Sequence, residues 1–532
     1  MPGSASPDPS VTDMSLSQRL KHFNGFLAFL LVFSGFCAFN YGYDVGTFGG
    51  VQGLPSFTRK FGECDEDGVC ALPGWLSSVM TATPFFGKAL GCIGAGWIAE
   101  RFGRKATFYL LCIVSIIGVT LQTTSVTSRA QFTLGRIITY GQTGIAIVLV
   151  PIYQAETTPR ELRGMFASTI QLMIVFGQVV SSLVTYGTKS IPSTAGWRIP
   201  IGLQLVSPGI LLILLTFVPE SPRWLLDRQR DDEAFNSLRK LRKHSSNEDI
   251  HLEIESLKYA CAHEDKGTWA EVFDKINRVR TMIAVIAMFG QQITGQAFPS
   301  QYGVIFYQSQ GFGQKAFLYN VIGNLVSLVA CFLTWGYVDQ VGRRPLLMLG
   351  GFFMGVWLFV LGGLGTMRTE DFTPATSNLL VASLQLFSVF YNLSWAPISY
   401  VVVSEAATLR LKEKTNLVAS VFSVLTTFVV SFTTPYLINP EYANLGGKVG
   451  FIYGSFNFAM VVATFFVIPE MKGRTLEEID QLFASGVSLR KFGSVKTRTA
   501  QELYESDIDK KVDNQEDTPD RAIGIRATGL AR

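Results

Sequence analysis

The sequence predicts an all-α membrane protein in which twelve transmembrane helices form two pseudo-symmetric six-helix bundles. Three observations point there. Of 532 residues, 48% are apolar and 41 are Phe, and the mean hydropathy is +0.29; apolar content spread this evenly belongs to a chain that uses lipid as part of its solvent. Apolar windows of about 20 residues, the length an α-helix needs to cross a bilayer, recur along the chain. A charged loop is written twice, as Gly96-Trp-Ile-Ala-Glu100-Arg-Phe-Gly103-Arg104-Lys105 and Gly336-Tyr-Val-Asp339-Gln-Val-Gly342-Arg343-Arg344-Pro345, with about 239 residues between the copies.

Two further motifs repeat in the same order. Glu156-Thr-Thr-Pro-Arg-Glu-Leu-Arg163-Gly164 is echoed by Glu405-Ala-Ala-Thr-Leu-Arg410, and Pro219-Glu220-Ser-Pro-Arg223-Trp by Pro469-Glu470-Met-Lys-Gly-Arg474. A duplicated block of helices leaves a seam that can open first to one side and then to the other, as a solute carrier requires. The charged residues Glu100, Arg104, Glu156, Arg163, Glu220, Arg223, Asp339, Arg343, Glu405, Arg410 and Glu470 are candidates for gating or conformational salt bridges.

In chain order, residues 1–24 form a cytosolic N-terminal segment. Residues 25–218 hold the first bundle, with spans near 25–46, 74–98, 106–125, 131–155, 165–188 and 199–218. A cytosolic linker, 219–280, is dense in charge, with Glu–Lys spacing suited to short surface helices. Residues 281–469 hold the second bundle, with spans near 281–309, 316–338, 346–366, 378–404, 415–437 and 449–469. The tail, 470–532, opens with an amphipathic helix at Thr475–Phe483 and is expected to be largely disordered after 490.

An even number of spans puts both termini on one side. The loops on that side carry most of the Lys and Arg, whereas the loop between the first two spans carries acidic Glu63-Cys-Asp-Glu-Asp67. Both termini are therefore expected in the cytosol of a multi-pass plasma-membrane protein. The net charge of +4 reflects this loop bias and implies no nucleic-acid partner. The polar first 22 residues have no apolar core before a small-residue cleavage site, so the first span is expected to be its own targeting signal. Cys64 and Cys70 fall in the loop on the oxidising side and are candidates for a disulfide, with two free thiols as the alternative. No CxxC pair or His cluster suggests a metal, and no nucleophile–base pair or phosphate-cradling loop suggests an enzyme or a cofactor.

Three ionisable residues lie well inside the apolar windows: Asp44, Lys88 and Arg136. Charge at that depth is costly and is a functional candidate by default. Asp44 and Arg136 lie at similar depth, so an Asp44–Arg136 pair is expected, and protonating Asp44 would release Arg136 and couple a proton to the conformational change; the alternative is a permanent pair that fixes register. Lys88 is a further candidate for coupling. It could pair with Asp44 or face the cavity and meet an anionic solute. The histidines all lie outside the spans.

The polar residues within the fifth and seventh spans are mostly amides. Gln171 and Gln178, two turns apart, share a helix face, and Gln291 and Gln292 fall near the midplane, with Gln296, Gln301 and Tyr302 following around Gly295 and Pro299. A carboxamide offers two donors and two acceptors and meets sugar hydroxyls without charge, while Tyr302, Trp395 and Tyr400 can cover the apolar face of a pyranose. Interhelical glue is the alternative. Asn324, and Asn392 before Pro397, extend the candidate substrate site.

These residues resemble the sugar porter family of the major facilitator superfamily over 25–485. The matched motifs are Gly42-Tyr43-Asp44, both Gly-Arg loops, Gly135-Arg136, Glu156…Arg163-Gly164, Pro219-Glu220-Ser221-Pro222-Arg223-Trp224, Gln291-Gln292-x-x-Gly295 and Pro469-Glu470…Lys472-Gly473-Arg474-Thr475. The resemblance implies a major facilitator fold, alternating access and a central site using Gln171, Gln178, Gln291 and Gln292. Several stretches are similar to fungal α-glucoside (maltose-type) permeases: Arg410–Thr415, 439–451, 487–492 and Gly323-Asn324 with Trp335. Hexose porters usually have Asn and Tyr where this chain has Ala297 and Gln301, and Trp where it has Tyr400. The α-glucoside branch commonly has Glu where this chain has Tyr41, and Arg-Asn where it has Ser420-Val421.

The expected function is thus sugar transport, as proton symport of an α-glucoside, disaccharide or related polyhydroxy solute by a functional monomer in the bilayer. The alternatives are a hexose or pentose facilitator, a carrier of a polyol or quinate-like acid, and a non-transporting sugar sensor.

Overall fold

Among the described residues, ten helices are long and apolar enough on their own to cross a bilayer. Two expected spans, the second and the seventh, fall outside that set; each is divided into two helices. The computed structural model describes residues 24–66, 68, 70–159, 162–243, 246–262, 267–368, 371–474 and 476–495.

Span 1 is Gly25–Val51, started by Asn24, whose side chain accepts from the Leu27 amide at 2.7 Å. Span 2 runs as Gly74–Ala82 and then Pro84–Phe102, followed by span 3 (Arg104–Thr123), span 4 (Arg129–Thr157) and span 5 (Arg163–Thr188); span 6 is Ala195–Gly202 and Val206–Leu215 joined by one tight turn. Spans 7 to 12 are Asn277–Ile293 with Ala297–Tyr307, then Lys315–Val341, Arg343–Leu364, Pro374–Leu393 with Trp395–Ala406, Lys412–Ile438 and Val449–Val467. The result is an all-α membrane fold of two six-helix halves. Within the halves, span 1 packs on span 5 as span 7 packs on span 11, and spans 3 and 4 pair as spans 9 and 10 do. Across the seam the same symmetry sets span 5 against span 8 and span 11 against span 2.

The breaks have named causes. Pro84 has no N–H to give the Met80 carbonyl one turn back, and that carbonyl instead accepts from Arg136 Nε at 2.8 Å. Pro435 frees the Ser431 carbonyl in the same way, and Tyr302 Oη donates to it at 2.6 Å. Span 7 breaks at Gly295, whose φ of +94° favours glycine and whose added Cβ would lie 2.6 Å from the Tyr453 ring.

Spans 2 and 4 are held close by small residues, as lipid-embedded helices tend to be. A Cβ on Gly87 would sit 1.8 Å from the Ile137 carbonyl oxygen. Gly87→Leu is accordingly expected to abolish the folded protein, read as loss of the monodisperse peak of the detergent-solubilised chain; a normal peak would contradict this packing. On the outside of span 2, Phe86, Leu90, Ile93 and Trp97 are exposed at helical spacing, a stripe that lipid tails would cover.

The linker carries three helices, Pro222–Asp227, Asp231–Leu241 and Asn247–Ala262, packed through Trp224, Leu238 and Ile250. It docks on the first half: Trp224 Nε1 donates to the Glu100 carbonyl at 2.8 Å and Arg242 to the Thr157 carbonyl at 3.0 Å. The expected tail helix runs Leu476–Ala484 and is tied to span 7 by an Arg280–Asp480 ion pair. The tail beyond 495 and the N-terminal segment lie outside the described residues, as do His22, His244 and His263. In the loop after span 1, a two-residue antiparallel clasp pairs Glu63–Cys64 with Cys70–Ala71, and Cys64 and Cys70 are joined as a disulfide.

Candidate functional site

Between the two halves lies a cavity of about 170 Å³, room for a small solute rather than a single water. Gln171, Gln178, Gln291, Gln292, Gln296, Asn324, Asn392 and Tyr400 line it, together with Lys88. The sequence reading brought these together from five spans.

The amides are held by their neighbours. Gln291 is 2% exposed; its Nε2 donates to the Ala396 carbonyl at 2.9 Å, beside the break in span 10, and its Oε1 accepts from Gln292 Nε2 at 3.0 Å. Asn392 donates to the Ser388 carbonyl at 2.8 Å. The Oε1 atoms of Gln296 and Gln301 are buried with no hydrogen-bond partner among the described residues. Such acceptors are costly unless a ligand or water supplies donors.

Two predicted sugar contacts are corrected. Tyr302 and Trp395 are 2% and 0% exposed and do not line the cavity. Each spends its polar atom inside the second half, Tyr302 on Ser431 and Trp395 Nε1 on the Leu347 carbonyl at 3.1 Å. Asn320, Gln385, Ser388 and Tyr307 line the cavity and were missed. The signal was present: Asn320, Asn324 and Ser327 fall on one face of span 8, and Gln385, Ser388 and Asn392 on one face of span 10.

The expected Asp44–Arg136 ion pair is open. Asp44 is 1% exposed and neither carboxylate oxygen makes a hydrogen bond, although Arg136 and Gln204 are its polar neighbours. Arg136 is 2% exposed, held by the Met80 carbonyl and by the Phe48 ring, whose centroid is 3.8 Å from the guanidinium carbon. Lys88 does not pair with Asp44 either: its Nζ donates to Tyr41 Oη at 3.2 Å.

The charged loops brace each half rather than cross the seam. Arg104 binds Glu156 in a fork at 2.7 and 2.9 Å, and Glu220 accepts from the Arg104 and Lys105 amides. Arg343 and Glu405 pair at 2.8 Å, with Glu470 on the Arg343 and Arg344 amides at 3.1 Å. Arg410 pairs with Glu271 of the linker at 3.1 Å. Glu100 contributes its backbone carbonyl to Trp224 and its side chain is exposed, so its predicted salt bridge is replaced by a main-chain contact. The side chains of Arg163 and Asp339 lie outside the described residues. Burial raises the Glu220 carboxyl above its ordinary value, against the pull of the three amides it accepts from, those of Arg104, Lys105 and Ser221. Glu220→Ala is expected to cost on the order of 2 kcal/mol by stranding those amides, seen as a lower Tm of the solubilised protein; an unchanged Tm would remove the brace from the account.

Among the described residues, hydrogen bonds between the halves all lie at the end away from the linker helices. Gln52 Nε2 donates to the Gln301 carbonyl, Gln308 Nε2 to the Gly53 carbonyl at 2.9 Å, and Ser78 Oγ to the Phe432 carbonyl at 2.9 Å.

Residues 28–483 match the family model described as "Sugar (and other) transporter". The high-affinity glucose transporter ght2 of Schizosaccharomyces pombe is 30% identical over 487 residues, covering 90% of this chain and 91% of that protein. The low-affinity glucose transporter HXT3 of Saccharomyces cerevisiae is 31% identical over 474 residues, covering 86% of this chain and 82% of that one. Among solved structures, the inward open conformation of the xylose transporter XylE from E. coli is similar with a TM-score of 0.69 and 25% identity, covering 86% of this chain and 99% of that chain. The expected leaning toward α-glucoside permeases is not supported: relatives of high similarity include glucose, hexose and galactose transporters. They are transporters and not enzymes. Its match over most of its length to that model, carried on this two-halved fold with a polar cavity at the seam, means the chain belongs to the sugar transporter family of the major facilitator superfamily.

Proposed function

We propose that the chain carries a monosaccharide across the plasma membrane by alternating access, as a monomer with both termini in the cytosol. The observation that carries this is the cavity itself: amides from spans 5, 7, 8 and 10 converge on one small space between the halves. A solute there touches both halves at once, so its binding energy can bias their relative position. The hydrogen bonds that close the seam lie at the end away from the linker helices, which by the bias of basic loops is the external end. The arrangement is then the inward-facing one. A hexose or pentose fits the relatives better than the α-linked disaccharide that the loop and tail stretches suggested.

The test is uptake by cells stripped of their own sugar carriers and expressing this chain, comparing glucose, galactose, xylose and maltose. Saturable monosaccharide uptake with maltose excluded is expected; uptake of maltose alone would overturn the reading.

A proton-coupled cycle is favoured by Asp44. A carboxylate this deeply buried, with neither oxygen bonded, costs several kcal/mol if ionised, so a bound proton relieves it in this conformation. Ionisation then accompanies closure on Arg136 in another. Alkalinisation of the medium on sugar addition is the expected sign, and its absence would leave the facilitator.

A further inference from the structure

We propose that the cavity selects a monosaccharide carrying a carboxylate, a uronic, aldonic or cyclic polyhydroxy acid, by placing that carboxylate on Lys88. This rests on the proposed transport reading and narrows its substrate class.

Lys88 is the sole cation among the described lining residues, and none of them is an Asp or Glu. It sits one turn past the Pro84 break. An ammonium carries three donors, and among the described contacts Tyr41 Oη at 3.2 Å takes one. Its other neighbours are the Tyr41 and Phe85 rings, with centroids 5.1 and 6.0 Å away, and the side chains of Tyr400 and Cys92. None of these is a carboxylate. Asp44, although on the same span as Tyr41, has Arg136 and Gln204 as its polar neighbours and no ion pair with Lys88. A charge held at this depth needs a counter-charge or water. An anionic solute supplies the first, and it arrives in the same space as the unpartnered Oε1 atoms of Gln296 and Gln301, acceptors for the hydroxyls on the rest of the ring.

The charge count also sets the anion. Phosphate carries close to two charges and is recognised by several cations or by the fork of an arginine. A single lysine among amides matches a single carboxylate. Neutral sugars still find the amides, but they leave the ammonium uncompensated.

The test uses the full chain in proteoliposomes at neutral pH, with radiolabelled galacturonate and galactose as the pair differing in the carboxylate. Wild type is expected to favour galacturonate in kcat/KM by at least about tenfold. Lys88→Gln should collapse that acid-to-neutral ratio by a similar factor, and Lys88→Arg should keep most of it. Galactose transport without galacturonate transport overturns this inference and leaves the proposed function standing. A ratio that is unmoved in Lys88→Gln also overturns it, and reduces Lys88 to a brace for Tyr41. If neither sugar moves, this inference falls, and the transport reading is decided separately by glucose and xylose uptake. Because both substrates are read on the same variant, general misfolding lowers both and cannot imitate a change in their ratio.

Discussion

Gln291→Ala is expected to cut kcat/KM for sugar uptake on the order of 10- to 100-fold, the loss that follows when about 1–3 kcal/mol of buried hydrogen bonding is stranded. Its amide serves three ends at once. Nε2 reaches the Ala396 and Trp395 carbonyls at 2.9 and 3.4 Å, which ties span 7 to the second segment of span 10, and Oε1 receives Gln292. Truncation frees Gln292 to rotate, leaves two carbonyls short of a donor and widens the cavity. The loss should appear in both KM and maximal rate, because the same residue holds the site and joins two helices that border it. Tm should fall as well, because the stranded groups are buried in the folded protein, so uptake is compared at equal amounts of folded protein. Gln291→Asn, one methylene shorter, should not rescue. Wild-type kinetics in Gln291→Ala would mean the solute binds elsewhere.

Asp44→Asn is expected to abolish uphill accumulation while leaving exchange of sugar across the membrane. Asparagine has the shape of a protonated aspartate but cannot ionise, so it imitates the proton-loaded carrier, with Arg136 left on Met80 and Phe48, and the halves remain free to rock. If the wild type concentrates sugar, the steady-state ratio in the variant should fall to equilibration, a drop on the order of tenfold or more. Counterflow, which needs only the loaded carrier to cross, should survive. Alkalinisation retained in Asp44→Asn would assign the proton to another group. Arg136→Lys should be as damaging as removal, because a lysine cannot both donate to the Met80 carbonyl and stack on the Phe48 ring.

Most of the architecture was legible, because lipid forces each span to announce itself as a run of about 20 apolar residues and the doubled loops mark the halves. What was not legible follows a physical pattern. Pro84 and Pro435 are visible as helix breakers in the sequence, but which side chain takes the carbonyl each one frees depends on a neighbouring span. Arg136 takes one and Tyr302 the other, and neither partner can be read from spacing within its own helix. That single effect explains why the Asp44–Arg136 pair is open and why Tyr302 is absent from the cavity. Trp395 fails for a related reason: an aromatic near a break is as well suited to packing as to stacking on a sugar, and its indole found the Leu347 carbonyl. Asn320 and Gln385 were within reach of the same two-turn argument used for Gln171 and Gln178. The likeness to α-glucoside permeases rested largely on 410–415, 439–451 and 487–492, stretches that do not line the cavity. Residues away from the cavity say little about the solute.

The latch made by Gln52, Gln308 and Ser78 has a consequence for turnover. All three side chains are uncharged and all three land on main-chain oxygens. Three neutral bonds are worth about 3 kcal/mol together, so parting them shifts the balance between the two orientations by on the order of a hundredfold. That lies within the differential binding energy of one small polar molecule. The Arg104–Glu156 and Arg343–Glu405 pairs each join residues of one half, so the halves can part without breaking them. The machine is therefore stiff in its parts and loose at its joint, and substitutions at the joint should alter how fast it cycles far more than what it recognises.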